Sequence, residues 1–175
     1  MSKIAVVYKS KYGATKKYAE WLSEDIGSDL YLQDNCKVEI LNSYDTIIYG
    51  GGIYASGIAG LSFIKKNYSK LKDKNITIFA VGASPYDEKA YNHLKENNLS
   101  GDLENIKLFY LRGMFDLNNM TFRDKLLIGM LKGVLSKKDS SQFEPWEKAL
   151  VESMDNVSDW TSRDNLKEIR NFLGV

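Results

Sequence analysis

The feature that most constrains this chain is a set of short apolar runs. Ile4 to Tyr8, Thr46 to Tyr49 and Ile76 to Val81 are nearly continuous, rich in β-branched residues and flanked by glycine, and Lys107 to Leu111 is a weaker fourth. Runs of this length without polar alternation suit strands buried on both faces, the pattern of a parallel sheet. Helical patterns lie between them. Tyr18, Trp21, Leu22 and Ile26 form an amphipathic stripe with Lys16, Lys17 and Glu20 outside it, and Gly27 ends the helix. Leu61, Ile64 and Tyr68 repeat the spacing, as do Tyr91 and Leu94 more weakly. Strands alternating with helices predict an α/β fold, a doubly wound sheet with right-handed crossovers and helices on both faces. For the second strand Leu30 to Leu32 competes with Val38 to Ile40, and Leu30 to Leu32 is favoured as a short edge strand.

After Leu111 the rhythm breaks. Residues Arg112 to Asp159 hold no strand signal but are too rich in Phe, Leu, Met and Trp to be a linker. They read as a helical insertion before a final helix, Ser162 to Leu173, capped by Thr161 or Ser162 and ended by Gly174. The 175 residues fit one domain over positions 1–175, with the insertion at about 112–159.

Composition excludes several functions. With 24 Lys+Arg against 23 Asp+Glu, the chain lacks the positive surplus of a nucleic-acid binder, so no nucleic-acid partner is expected. A single cysteine, Cys36, and a single histidine, His93, rule out an intrachain disulfide, a Cys-ligated iron–sulfur cluster and a Cys/His zinc site. No metal is expected. Cys36 and His93 read as a loop thiol and a solvent-facing ring, and Trp21, Trp146 and Trp160 as hydrophobic packing. Demanding chemistry must come from a bound cofactor or from carboxylates, Tyr and Lys. The first apolar run is too short for a signal-peptide core, and Leu126 to Leu135 is half of a membrane span and contains Lys132. A cytoplasmic location is expected, in keeping with the lone cysteine.

Chemistry gathers where strands end. The first strand runs through Ser10, Lys11, Tyr12, Gly13, Ala14 and Thr15 into a helix. A glycine turn at a helix N-terminus, flanked by hydroxyls, directs free N–H groups and the positive end of the helix dipole at one spot. Taken alone, the turn is equally well an anion cradle or a capped βα turn. It is not a nucleoside triphosphate loop, since no Gly-Lys-Ser/Thr follows. The third strand ends in Gly50, Gly51, Gly52, Ile53, Tyr54, Ala55, Ser56 and Gly57, followed by Ile58, Ala59 and Gly60. Five glycines there predict bare backbone that something flat or large approaches, with Tyr54 as a ligand platform. Gly50, Gly52 and Ala55 match GxGxxA, but at the wrong strand and without the ribose-binding acid, which disfavours a nicotinamide reductase. The fourth strand leads to Gly82, Ala83, Ser84, Pro85, Tyr86 and Asp87, a small-residue loop delivering Tyr86. The three loops share the carboxyl edge of the sheet, where ligands of open α/β folds bind.

This arrangement resembles the flavodoxin family, over nearly the whole chain. Flavodoxins cradle the FMN phosphate in a Thr/Ser-x-x-Gly-x-Thr loop, here Ser10 to Thr15, and hold the isoalloxazine ring between the loops after strands three and four, here Gly52 to Gly57 and Gly82 to Asp87. The resemblance implies a five-stranded parallel sheet of order 2-1-3-4-5 and FMN as cofactor. It looks closest to the branch that includes the quinone-dependent protoporphyrinogen dehydrogenases, which carry a basic, aromatic insertion before the last helix. Two departures stand out. The third loop begins Gly82-Ala83-Ser84-Pro85 instead of the usual Gly-x-Gly-Asp, and the tyrosine-rich basic stretch is present only in part, as Arg112-Gly113-Met114-Phe115. The expected function is FMN-dependent electron transfer, with a redox partner protein or a small-molecule or quinone substrate, and a porphyrinogen-oxidising enzyme as the alternative. A non-redox ligand-binding module of the same fold is the alternative of another class. A response-regulator receiver fails, because Lys9-Ser10-Lys11 and Gly50-Gly51-Gly52 stand where it needs acids. Few carboxylates flank the ring loops, which makes reduction to an anionic flavin easier.

The insertion bears on partners. Arg112 to Lys138 carries six basic and two acidic residues, and Met120, Leu127, Met130, Leu131 and Val134 fall on one face of a helix. Such a helix suits peripheral contact with the inner membrane surface through residues 112–138, or a carboxylate-bearing substrate. A lid helix whose lysines and arginines are merely solvated is the plainer alternative.

Overall fold

The computed structural model describes residues 3–154 and 157–175. Successive residues of each apolar run point to opposite sides, and both sides are buried. β1 (Ile4–Lys9) lies between β2 (Asp29–Leu32) and β3 (Thr46–Tyr54), and β5 (Asn75–Gly82) and β6 (Lys107–Arg112) extend the sheet beyond β3. A two-residue strand, β4 (Gly57–Ile58), folds back antiparallel on the end of β3. The five long strands are parallel, in the expected order 2-1-3-4-5 when β4 is set aside.

On one face Ala5, Val7, Ile47, Tyr49, Ile78 and Leu108 pack under α3 (Ser62–Leu71) and α4 (Glu88–Asn98) through Ile64, Leu71 and Leu94. On the other, Val6, Ile48, Phe79, Val81, Phe109 and Leu111 lie under α1 (Ala14–Ile26) and α7 (Lys167–Leu173), with Tyr18, Ala19, Leu22, Leu166 and Ile169. The second strand forms at the edge, as favoured. Its competitor becomes a single helical turn, α2 (Val38–Leu41), which buries Val38 and Leu41. Cys36 lies in the loop ahead of it, as expected, but is buried there, and burial pushes its thiol pKa up.

The segment after β6 departs from expectation in one respect. It contains two short strands, β7 (Met114–Phe115) and β8 (Ser158–Asp159), paired antiparallel. A two-residue ladder has no periodicity to read, so the sequence shows nothing of it. The pair closes the base of an excursion built from α5 (Phe122–Leu135) and α6 (Pro145–Ser153). The last helix also starts later than expected. Ser162 caps a 3₁₀ turn, Arg163–Leu166, and only then does α7 begin.

An ionic clasp holds this C-terminal unit to α1. Arg163 Nε donates to Asp25 Oδ1 at 2.8 Å, and Arg170 Nη1 to Asp25 Oδ2 at 2.5 Å. The two guanidiniums, Arg163 foremost, hold the Asp25 carboxyl below its ordinary pKa. Asp25→Asn should therefore cost about 1.5–3 kcal/mol in urea unfolding at neutral pH. Because the folded pKa is depressed, the native advantage is complete above about pH 4, where unfolded Asp is ionised. It should vanish as pH falls through the folded value, so the two unfolding midpoints converge in acid.

Candidate functional site

α1 begins at Ala14, directly after Gly13, whose φ of 98° is one a side chain rarely adopts. No side chain caps the helix and its first turn carries no acid. Ser10 Oγ instead accepts the N–H of Gly13 at 3.1 Å. The first-turn N–H groups therefore lack intrahelical acceptors and, with the dipole, favour an anion over the turn. A Cβ on Gly13 would meet nothing within 4 Å, so that space is open. Thr15 is buried beneath the turn. The residues present fit a phosphate.

The loop after β3 is a tight hairpin. Ala55 and Ser56 take φ of 46° and 63°, between the paired residues Tyr54 and Gly57. Two-residue hairpin turns of this hand favour Asn and Gly, and each side chain here costs of order 1–2 kcal/mol. Buried Asn98 holds the turn from α4. Its amide donates to Ser56 O at 2.7 Å and Leu94 O at 2.8 Å, and its oxygen accepts from Ile58 N at 3.0 Å. The glycines ahead of this turn serve packing more than ligand approach, contrary to expectation. A Cβ on Gly50 would fall 2.1 Å from the Phe79 ring, and one on Gly51 2.6 Å from Ala59 O. Tyr54 lies over Gly52 and faces the cradle, meeting Tyr12 edge-on at 6.3 Å with Lys11 Nζ 5.6 Å from its centroid.

The loop after β5 is fastened through its carbonyls. Gly82 O accepts from Gly113 N at 2.7 Å, Ala83 O from Arg112 Nε at 3.3 Å and Ser84 O from the Tyr110 hydroxyl at 2.5 Å. Burial pushes the Tyr110 pKa up to about 12, so the phenol remains a donor throughout the physiological range. Arg112 is itself stacked on Trp160, 3.9 Å from the ring centroid. Tyr86 is exposed, its ring 5.7 Å from Tyr91 and 6.1 Å from Tyr110.

Ile53, Ala55 and Ser56 of the second loop and Gly82, Ala83, Ser84 and Pro85 of the third line one cleft of about 780 Å³. Ser10 to Thr15, Tyr54 and Tyr86 are not among its lining. The remaining walls come from residues that sequence reasoning does not assign to the site, Leu131, Phe115 and Trp146 being read otherwise. They include Tyr110, Phe115, Ile128 and Leu131 of α5, and Trp146 and Leu150 of α6. His93 and Trp146, expected to be bland, both reach this cleft. Of the carboxylates, Asp87 lines it from within the third loop, and Glu144, far off in sequence, joins it. Asp124 of α5 meets the cradle, accepting from Lys11 Nζ at 2.5 Å and from the Tyr12 hydroxyl. Lys11 and then Tyr12 hold its carboxyl below the ordinary range. Only the folded chain joins positions so far apart in sequence.

Parallel strands in the order 2-1-3-4-5, an uncapped helix start at the first βα turn and a cleft between the next two loops define a flavodoxin-like α/β protein. The chain belongs to the flavodoxin family, and its residues 5–142 match the family's flavodoxin domain. It is similar in fold to a proposed flavoprotein from Bacteroides eggerthii, at 21% identity over 77% of this chain and 99% of that one, with a TM-score of 0.50. A WrbA-like flavodoxin from Agrobacterium tumefaciens aligns at 22% identity over 63% and 77% of the two chains, TM-score 0.48. A Lactobacillus acidophilus flavoprotein solved in complex with FMN aligns at 20% identity over 64% and 93%, TM-score 0.42. No curated protein matches. Among the described residues no helix is long and apolar enough to cross a membrane, and no cluster of three His, Cys, Asp or Glu could hold a metal.

The hairpin's dependence on one amide is testable. Asn98→Ala leaves the buried Ile58 N without its partner, at about 1–3 kcal/mol, while Ser56 O, at the exposed tip, can turn to water. Urea unfolding should show a loss of at least about 1 kcal/mol. A loss below about 0.5 kcal/mol would mean that the turn holds itself.

Proposed function

We propose that the protein binds FMN and transfers electrons through it as an oxidoreductase. The observation that carries this is the uncapped start of α1 behind Gly13, an anion site at the switch point of a sheet with flavodoxin strand order. In this reading Ser10, Gly13, Ala14 and Thr15 hold the phosphate through N–H and hydroxyl donors, with Lys11 and Tyr12 at the rim. Gly52 to Gly57 and Gly82 to Tyr86 flank the ring. With the carbonyls of Gly82, Ala83 and Ser84 already engaged, the third loop has its N–H groups to offer to the polar edge of the ring. FMN, when bound, supplies the redox chemistry, and the chain supplies orientation and a sheltered cleft. The walls of α5 and α6 over that cleft favour an enzyme acting on a small apolar molecule, such as a quinone or a porphyrinogen, over a carrier that meets only proteins.

The reading is tested by flavin titration. FMN should bind with quenched fluorescence, and Thr15→Ala should weaken it roughly 10- to 150-fold by removing a charge-assisted hydrogen bond. Riboflavin, which has no phosphate, should lose little. Equal losses for both would return Ser10 to Thr15 to a helix start. A protein that takes up no flavin would refute the proposal.

A second outcome concerns Tyr54. Tyr54→Ala should weaken FMN binding and brighten the flavin that stays bound, because a stacked phenol quenches its emission. Bright flavin in the unaltered protein would place both Tyr54 and Tyr86 off the ring.

A further inference from the structure

Among the described residues, side-chain polar contacts tie the excursion, residues 116–154, to the rest of the chain in two places. On the α4 side Glu144 meets Lys89 Nζ at 3.8 Å. The other tie is closer and lands on the cradle. Asp124 Oδ2 accepts from Lys11 Nζ at 2.5 Å and from the Tyr12 hydroxyl, and the same hydroxyl accepts from Thr121 N at 3.2 Å.

Thr121 and Asp124 are the N-cap and the third residue of α5, where an acid ordinarily folds back onto the N–H of its own cap. Half of that box is present, since Thr121 Oγ1 accepts from Asp124 N at 3.4 Å. The other half is turned outward. The Asp124 carboxylate reaches the cradle, and the Tyr12 hydroxyl takes its place on Thr121 N. The start of α5 is thus completed by the loop between β1 and α1.

The same helix face leads into the cleft. Ile128 and Leu131 follow Asp124 at i+4 and i+7, positions that share one side of a helix, and both line the cleft wall. Asp124 therefore fixes the end of the stripe that closes the cleft. It also brings a negative charge to the rim of an anion site, because Lys11 and Tyr12 directly precede Gly13. An anion at the first turn of α1 meets the repulsion of that carboxylate and shares Lys11 with it.

We propose that Asp124 is a latch that sets occupancy of the phosphate cradle against closure of the cleft. A phosphate over Gly13 weakens the hold of Lys11 and Tyr12 on Asp124, the first turns of α5 loosen, and the wall carried by Ile128 and Leu131 opens. By reciprocity the closed wall weakens the phosphate by the same factor. The inference rests on the flavin reading, in which FMN is the source of that phosphate, and it makes the cleft most accessible in the protein that already holds its cofactor. Asp124 acts through Lys11 and Tyr12 and is a positioning residue.

The test joins flavin titration to amide hydrogen exchange of the intact protein, read over Thr121 to Met130. The Lys11 and Asp124 side chains are 42% and 22% exposed, so solvent moderates the coupling. Asp124→Asn should tighten FMN about 3- to 10-fold and leave riboflavin, which brings no phosphate, unchanged. Saturating FMN should quicken exchange of the segment in the unaltered protein by a similar factor, and riboflavin should not. In Asp124→Asn exchange should be fast already, with little further response to FMN. The measurement on the unaltered protein stands even if the variant folds poorly. Three results would overturn the latch while FMN uptake keeps the flavin reading standing. They are an FMN affinity in Asp124→Asn within about twofold of the unaltered protein, equal gains for FMN and riboflavin, or exchange over Thr121 to Met130 that FMN slows or leaves alone. FMN uptake by neither protein would refute both.

Discussion

Because helices cover both faces of the parallel sheet, its open ground lies at the strand ends, and the polar chemistry collects there. The carbonyl-fastened loop after β5, the amide-braced hairpin after β3 and the uncapped helix after β1 all stand on the carboxyl edge. Each is fixed by a neighbour inside the fold. Tyr110 and Gly113 hold one from β6 and just beyond it, and Asn98 holds another from α4. The interior is thus both the source of stability and the jig for the site.

The sheet was readable from the sequence because two-sided burial writes itself as unbroken apolar runs. Ile4 to Tyr8 and Ile76 to Val81 have no polar alternation to confuse their reading; alternation with helices gave a doubly wound parallel sheet, and the resemblance to flavodoxins supplied the order of strands. Val38 to Ile40 shows the limit. An apolar triplet fits a strand or a helical turn equally well, and packing of Val38 and Leu41 decided it. The turns after β1 and β5 were also legible as turns, since Gly13 and the small residues of Gly82 to Ser84 are local signals. What faces those loops was not. Asp124 meets Tyr12 across a separation of 112 positions, and Asn98 reaches Ser56 across 42. No spacing rule connects such pairs.

The glycines after β3 illustrate a different failure. A cluster of bare backbone suggests an approaching ligand, yet at Gly50 and Gly51 the approaching body is the protein itself. The Phe79 ring lies where a side chain on Gly50 would stand, beneath α1, and β4 returns over Gly51. Glycine reports that something comes close and says nothing of what.

The arrangement of the second core face has a bearing on how the chain is made. Val6, Ile48, Phe79 and Phe109 belong to strands that leave the ribosome early, but Leu166 and Ile169, which share their cluster, follow the whole excursion through α5 and α6. During synthesis, which proceeds at about 5–20 residues per second, half of that face waits uncovered while residues 112–160 are translated. The nascent protein therefore presents an aromatic, unprotected sheet surface for several seconds, and this window of exposure is built into the order of its elements.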